Sequence, residues 1–185
     1  MRALLRGRPS AASLARAASV GKALASARRA GYAPPIPPGY HSVTPYLIVR
    51  DAARALGFYK EALGATELFR MPGPEGRVAH AEFKIGDSIL MISDEWPEMG
   101  YLGPKSRGGT TVGLMVYVPD ADAAFARAVS CGATVLKPMQ DQFYGDRSGT
   151  VADPFGHSWT LSTHVEDVPP EEMERRMAAS MQKQG

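Results

Sequence analysis

Four histidines and a scatter of carboxylates are the side chains in this sequence best suited to holding a metal ion. His157 and His164 both lie in DPFGHSWTLSTH, a stretch with turn residues at its front and a strand-like body. Seven residues of extended chain span about 23 Å, so these two cannot bind one ion. His80 and Glu82 are two apart in VAHAEFKI and therefore share a strand face. That spacing can bind a metal, yet an isolated His-x-Glu on a strand is more often a solvated or hydrogen-bonded pair. His41 precedes the first strand, and Asp94 and Glu95 follow SILMIS. The single cysteine, Cys131, excludes an intrachain disulfide and any CxxC motif. It sits where a helix is about to end at Gly132, and a small buried hydrophobe is its natural role.

These side chains must be positioned by an ordinary globular domain: 185 residues, 44% hydrophobic and 22% charged, are enough for a sizeable core. No run approaches the roughly 18 to 20 apolar residues of a membrane span, so a soluble chain without a membrane partner is expected. The formal charge of +2 averages two unlike regions. Residues 1–40 carry seven basic residues and no acid, because the first acid is Asp51. Residues 41–185 carry 14 basic against 19 acidic residues, a net charge of −5, which argues against a nucleic-acid partner.

Residues 1–39 read as an extension, rich in Ala, Arg and Ser, followed by the proline-rich linker APPIPPG. In a eukaryote that composition fits a mitochondrial or plastid transit segment; the alternatives are a disordered extension or an upstream start codon in a GC-rich bacterial gene, and a bacterial protein is expected in the cytoplasm. The arginines and leucines do not gather on separate helix faces, so helical spacing does not decide between them.

One folded domain is expected over 40–167. VTPYLIV is a strand, Asp51 caps a helix with Ala55, Leu56, Phe58, Tyr59, Ala62 and Leu63 at helical spacing, and Gly64 ends it. The strands ATELFRM, VAHAEFKI and SILMISDEW follow, joined by turn residues suited to hairpins. After the loop PEMGYLGPKSRGG the same order returns: the strand TTVGLMVYV, a helix opened by PDAD, then strands near TVLKPM, SGTVAD and HSWTLST. GAT closes the first helix and recurs at Gly132 to Thr134, the mark of an internal duplication. The fold class is therefore α+β, with two βαβββ modules over about 43–96 and 110–164 forming cupped mixed sheets with helices outside. A C-terminal helix is expected over 168–185, where Met173, Met177 and Met181 form a stripe suited to packing or assembly.

With FYKEALGA closing its first helix and ADPFGHSWTL entering its last strand, this duplicated chain resembles the vicinal oxygen chelate superfamily. That group contains glyoxalase I, extradiol dioxygenases, and the bleomycin- and fosfomycin-resistance proteins. The resemblance covers about Tyr40 to Asp167, and GYHSVTPYLIV, DQFYGDRSGT and DPFGHSWTLSTHVEDV are similar to the PhnB-like branch. It implies a homodimer, and it implies four inward-facing metal-ligand positions, normally His, Gln or Glu. Counted onto this chain, those positions carry Thr44, Met91, Gly113 and Thr160. None is a usual ligand, and shifting the count by one or two residues reaches no chelating side chain, so neither a metal nor another cofactor is expected.

The leading expectation is a metal-free binder of a small organic ligand. Its cup would be lined by Thr44, Tyr46, Met91, Met115, Tyr117 and Thr160, a mixture of hydroxyls, thioethers and aromatics. Phe143, Tyr144 and Arg147 would stand at its mouth, where an aromatic and an arginine grip a planar or anionic molecule. Each could instead serve packing, with Arg147 paired to Asp146, Asp141 or Asp153. The alternative is a metal-dependent lyase, isomerase or dioxygenase of the glyoxalase type, which needs ion-bound polarisation and a carboxylate base. A third is an assembly protein docking through its methionine-striped helix.

Overall fold

Residues 33–182 are described by a computed structural model, so the readings made of residues 1–32 lie outside the described residues. The chain divides into one unit of residues 1–42 and a second of Val43–Gly185. In the first, the Tyr40 N–H donates to the Pro37 carbonyl and closes a turn in the proline-rich stretch (3.1 Å).

The second unit opens with β1 (Tyr46–Val49), α1 (Ala52–Leu63), β2 (Thr66–Pro72), β3 (Val78–Ile85) and β4 (Ser88–Asp94). A connection containing the short α2 (Pro104–Arg107) leads to β5 (Gly113–Tyr117), α3 (Ala121–Ser130), β6 (Thr134–Asp141), β7 (Asp146–Ala152) and β8 (Ser158–His164). A final helix, α4, covers Pro170–Gln182. The strands form two four-stranded sheets of order β1-β4-β3-β2 and β5-β8-β7-β6. In each sheet the first pair is parallel and the other two are antiparallel. This is the α+β arrangement of two βαβββ modules. The first and fifth strands start later than expected, at Tyr46 and Gly113, and α2 forms inside what reads as loop.

The duplication extends to how each helix begins. Asp51 caps α1 by accepting from the Arg54 N–H (3.0 Å), and Asp120 caps α3 by accepting from the Ala123 N–H (2.9 Å). The next orphan donor is met from the sheet: the Ala52 N–H reaches Asp94 and the Ala121 N–H reaches Thr163, each at 2.9 Å. A carboxylate in one half and a hydroxyl in the other satisfy the same helix position. At the far end of α1, Gly64 takes φ 68, a left-handed conformation that suits glycine.

One core joins the halves. The ring of Tyr59 stacks on Phe83 of its own half at 5.2 Å and tilts against Trp159 of the other at 5.3 Å. Its hydroxyl donates to Asp153, only 4% exposed, at 2.7 Å. Asp153 also accepts from the Trp159 indole and from the N–H groups of Phe155 and His157, each at 2.9 Å. A buried carboxylate is costly unless so satisfied, and four donors meet that need. Two further bonds cross the join: Arg127 Nε donates to the Ala62 carbonyl (3.0 Å), and His157 Nε2 to the Ile48 carbonyl (3.2 Å). Burial pushes the His157 imidazole down, against the opposing pull of Asp153 and that carbonyl.

The helices cover one face of each sheet and leave the other open. Along β5, Leu114 and Val116 pack on the core while Met115 and Tyr117 are 48% and 61% exposed. Along β1, Leu47 and Val49 are buried while Tyr46 is half-exposed. Cys131 packs half-buried beside the core. Among the described residues no helix is long and apolar enough to cross a membrane.

Candidate functional site

Strand register builds one row across the open face of the first sheet. Tyr46 of β1 stands opposite Met91 of β4, Met91 opposite Glu82 of β3, and Glu82 opposite Phe69 of β2. One step along, Ile48 stands opposite Ser93, and His80 opposite Met71. The Tyr46 hydroxyl lies 3.0 Å from His80 Nδ1, and His80 Nε2 lies 3.4 Å from Glu82. His80 and Glu82 thus form the hydrogen-bonded pair that their spacing favoured, extended by Tyr46 into a Tyr–His–Glu chain.

The connection after β4 supplies the rest of the wall. Trp96 and Tyr101 form an isolated antiparallel bridge, with backbone bonds of 2.8 and 3.1 Å, around a tight turn at Pro97–Met99. The guanidinium of Arg77 lies 4.0 Å from the centre of the Trp96 ring and braces it. Together with Tyr46, Ile48, Ala79 and Ser93, the side chains of Trp96, Met99 and Tyr101 line a cavity of about 650 Å³. Its volume and largely apolar wall are those of a small-molecule site.

The open face of the second sheet is richer in hydroxyls. Asp146, 3% exposed, accepts from the Tyr117 and Ser162 hydroxyls, both at 2.9 Å, and pairs with His164 Nδ1 at 2.8 Å. Burial alone would raise the Asp146 carboxyl, but hydrogen bonds from His164, Tyr117 and Ser162 outweigh it and hold the group below its usual range. His164 is raised in turn by its bonds to Asp146 and to Asp167 (3.0 Å). Thr150 and Thr160 share a hydrogen bond of 3.0 Å beside them. The rings of Phe143 and Tyr144 meet edge to face in the preceding turn. That turn is held by the Gly145 carbonyl, which accepts from the N–H groups of Val165 and Glu166. Gly145 has φ 96, and a Cβ there would strike the Glu166 carbonyl.

The sequence-chosen residues therefore fall into two groups. Tyr46 and Met91 share the first sheet, with Thr44 half-buried just before β1. Met115, Tyr117 and Thr160 share the second, with Phe143 and Tyr144 half-buried nearby. Arg147 is engaged elsewhere, its guanidinium bonded to Asp122 of α3 (2.6 Å) and Asp141 of β6 (3.1 Å). Sequence reasoning missed Ile48, Ser93, Trp96, Met99 and Tyr101. The available signal was two aromatics bracketing a proline turn directly after a strand.

Residues 39–161 match the Glyoxalase/Bleomycin resistance protein/Dioxygenase superfamily. The chain belongs to this superfamily. It is 44% identical over 141 residues to the uncharacterized protein Rv0887c of Mycobacterium tuberculosis, covering 75% of this chain and 83% of that one. The uncharacterized protein At5g48480 of Arabidopsis thaliana is 30% identical over 115 residues, covering 58% of this chain and 69% of its own. Among solved structures, TioX from Micromonospora sp. ML1 is 28% identical with a TM-score of 0.55, covering 68% of this chain and 99% of that one.

The four positions at which the sequence count expected metal ligands hold Thr44, Met91, Gly113 and Thr160. Two hydroxyls, a thioether and a glycine without a side chain do not fit a divalent ion. Among the described residues no three His, Cys, Asp or Glu side chains are grouped to hold one.

Proposed function

We propose that this glyoxalase-superfamily chain is a metal-free binder of a small organic molecule, working as a homodimer of the PhnB-like branch. The observation that carries the reading is the cavity beside Tyr46, about 650 Å³ in volume and walled by Trp96, Tyr101, Met99 and Ile48. The pairing is supported by the two open sheet faces, where Tyr46, Phe69 and Met71 on one and Met115 and Tyr117 on the other are each about half exposed. A second copy laid across them would bury apolar surface that one chain leaves to water and would enclose the cavity. The PhnB-like assignment is supported by the stretches GYHSVTPYLIV and DQFYGDRSGT.

A thermal-shift screen of small aromatic compounds tests the reading. A compound present at about 100 times its Kd adds roughly 2.7 kcal/mol of stability, or a rise of about 5 to 10 °C for a domain of this size. Elemental analysis of the purified protein and a glutathione-hemithioacetal turnover assay complete the test. One nickel, zinc, manganese or iron per chain together with turnover would overturn the proposal in favour of a glyoxalase-type enzyme.

A further inference from the structure

Three lining residues of the cavity carry hydroxyls, Tyr46, Ser93 and Tyr101, and the first two have their protons committed to the protein. Glu82 can only accept, so in the neutral His80 ring the proton sits on Nε2 and points at Glu82 (3.4 Å). His80 Nδ1 is then an acceptor, and the Tyr46 hydroxyl donates to it at 3.0 Å. Ser93, on the adjoining strand, donates its hydroxyl proton to the Asp94 carbonyl at 3.1 Å. Tyr46 and Ser93 both line the cavity, and both offer it lone pairs alone. Around them stand Ile48, Met99, Trp96 and Tyr101, the last two with an indole N–H and a hydroxyl at the ring edge, and no lining residue carries a positive charge.

From this we infer that the cavity selects a planar, apolar ligand bearing an O–H or N–H donor, such as a phenol or a heteroaromatic N–H, with Tyr46 as acceptor and His80 and Glu82 as the positioning residues that fix its proton. The inference rests on the binding-pocket reading and specifies its ligand class. Acceptors in an apolar cavity lose free energy when a ligand strips their water without offering a donor. A site built to hydrogen-bond a hydroxyl therefore rejects the analogue that lacks it. At Tyr46 and Ser93 a carboxylate or phosphate would bring oxygen lone pairs against oxygen lone pairs.

Three probes of one ring system decide the matter: 2-naphthol, 2-methoxynaphthalene and 2-naphthoate, titrated calorimetrically against the full chain. Naphthol is expected to bind about tenfold more tightly than its methyl ether, and naphthoate most weakly. Tyr46→Phe should reduce the naphthol preference to about threefold or less. His80→Phe keeps the phenol but frees its proton to turn toward a ligand acceptor, so the ether should gain and the preference narrow. Equal binding of naphthol and ether by the unaltered chain, tighter binding of naphthoate, or a preference unchanged in Tyr46→Phe would overturn this inference and leave the pocket reading standing. Binding by none of the three would overturn both.

Discussion

Asp146 shows how one residue's surroundings set a pH response. It and His164 are shifted in opposite directions by the bond they share. A carboxyl held low contributes stability that is present at neutral pH and is lost as pH falls through its lowered value. A histidine held high contributes stability that is complete below its ordinary value of 6.5 and is lost as pH rises through its raised one. The pair therefore stabilises most between the two, in mildly acidic solution. Melting temperature followed from pH 5 to 9 should show a decline above about pH 6.5 that His164→Gln flattens. A decline of equal depth in the variant would mean that His164 is not its source. Tyr46 and His80 mark the opposite limit of residue-level reading. They are 34 positions apart, and only the strand register brings them within 3.0 Å.

At the level of elements, the Asp-Pro-Phe-Gly turn is a clamp between α1 and β8. Asp153→Ala would leave the Tyr59 hydroxyl, the Trp159 indole and two backbone N–H groups buried without their acceptor. The expected loss is on the order of 4 kcal/mol, read as a lower urea midpoint, and Asp153→Asn, which keeps one acceptor oxygen, should lose about half as much. A loss below about 1 kcal/mol would show that the donors find other partners. The order of elements was legible because each carries its own punctuation: Asp51 and Asp120 at helix starts, Gly64 after α1, and Gly-Asp between β3 and β4. The clamp was not legible, because turn chemistry announces the bend at Asp153 without naming a tyrosine 94 positions earlier. The bridge between Trp96 and Tyr101 was also hidden, since it belongs to no periodic strand.

For the whole molecule, the open faces are the decisive feature. Two sheets share one core on their helix-covered sides and turn half-exposed aromatics and methionines to solvent on the other. Sedimentation at micromolar concentration should give twice the mass of one chain. The double change Met115→Lys and Tyr117→Lys should return it to a single-chain mass without altering the helix content, because both side chains lie off the core. A single-chain mass for the unaltered protein would mean that the cavity is complete within one chain.

The Tyr59–Asp153 bond also has a place in time. Hairpins such as β3 and β4 close over a few residues, whereas this contact must wait until 94 residues of chain have been gathered. The bond should therefore be absent from the folding transition state and form on the native side of the barrier. Tyr59→Phe, which deletes the hydroxyl and keeps the ring, is expected to speed unfolding several-fold while leaving the refolding rate nearly unchanged in stopped-flow measurements. The carboxylate that joins the halves would then act as a latch, fastening after the molecule has assembled and setting how long it stays so.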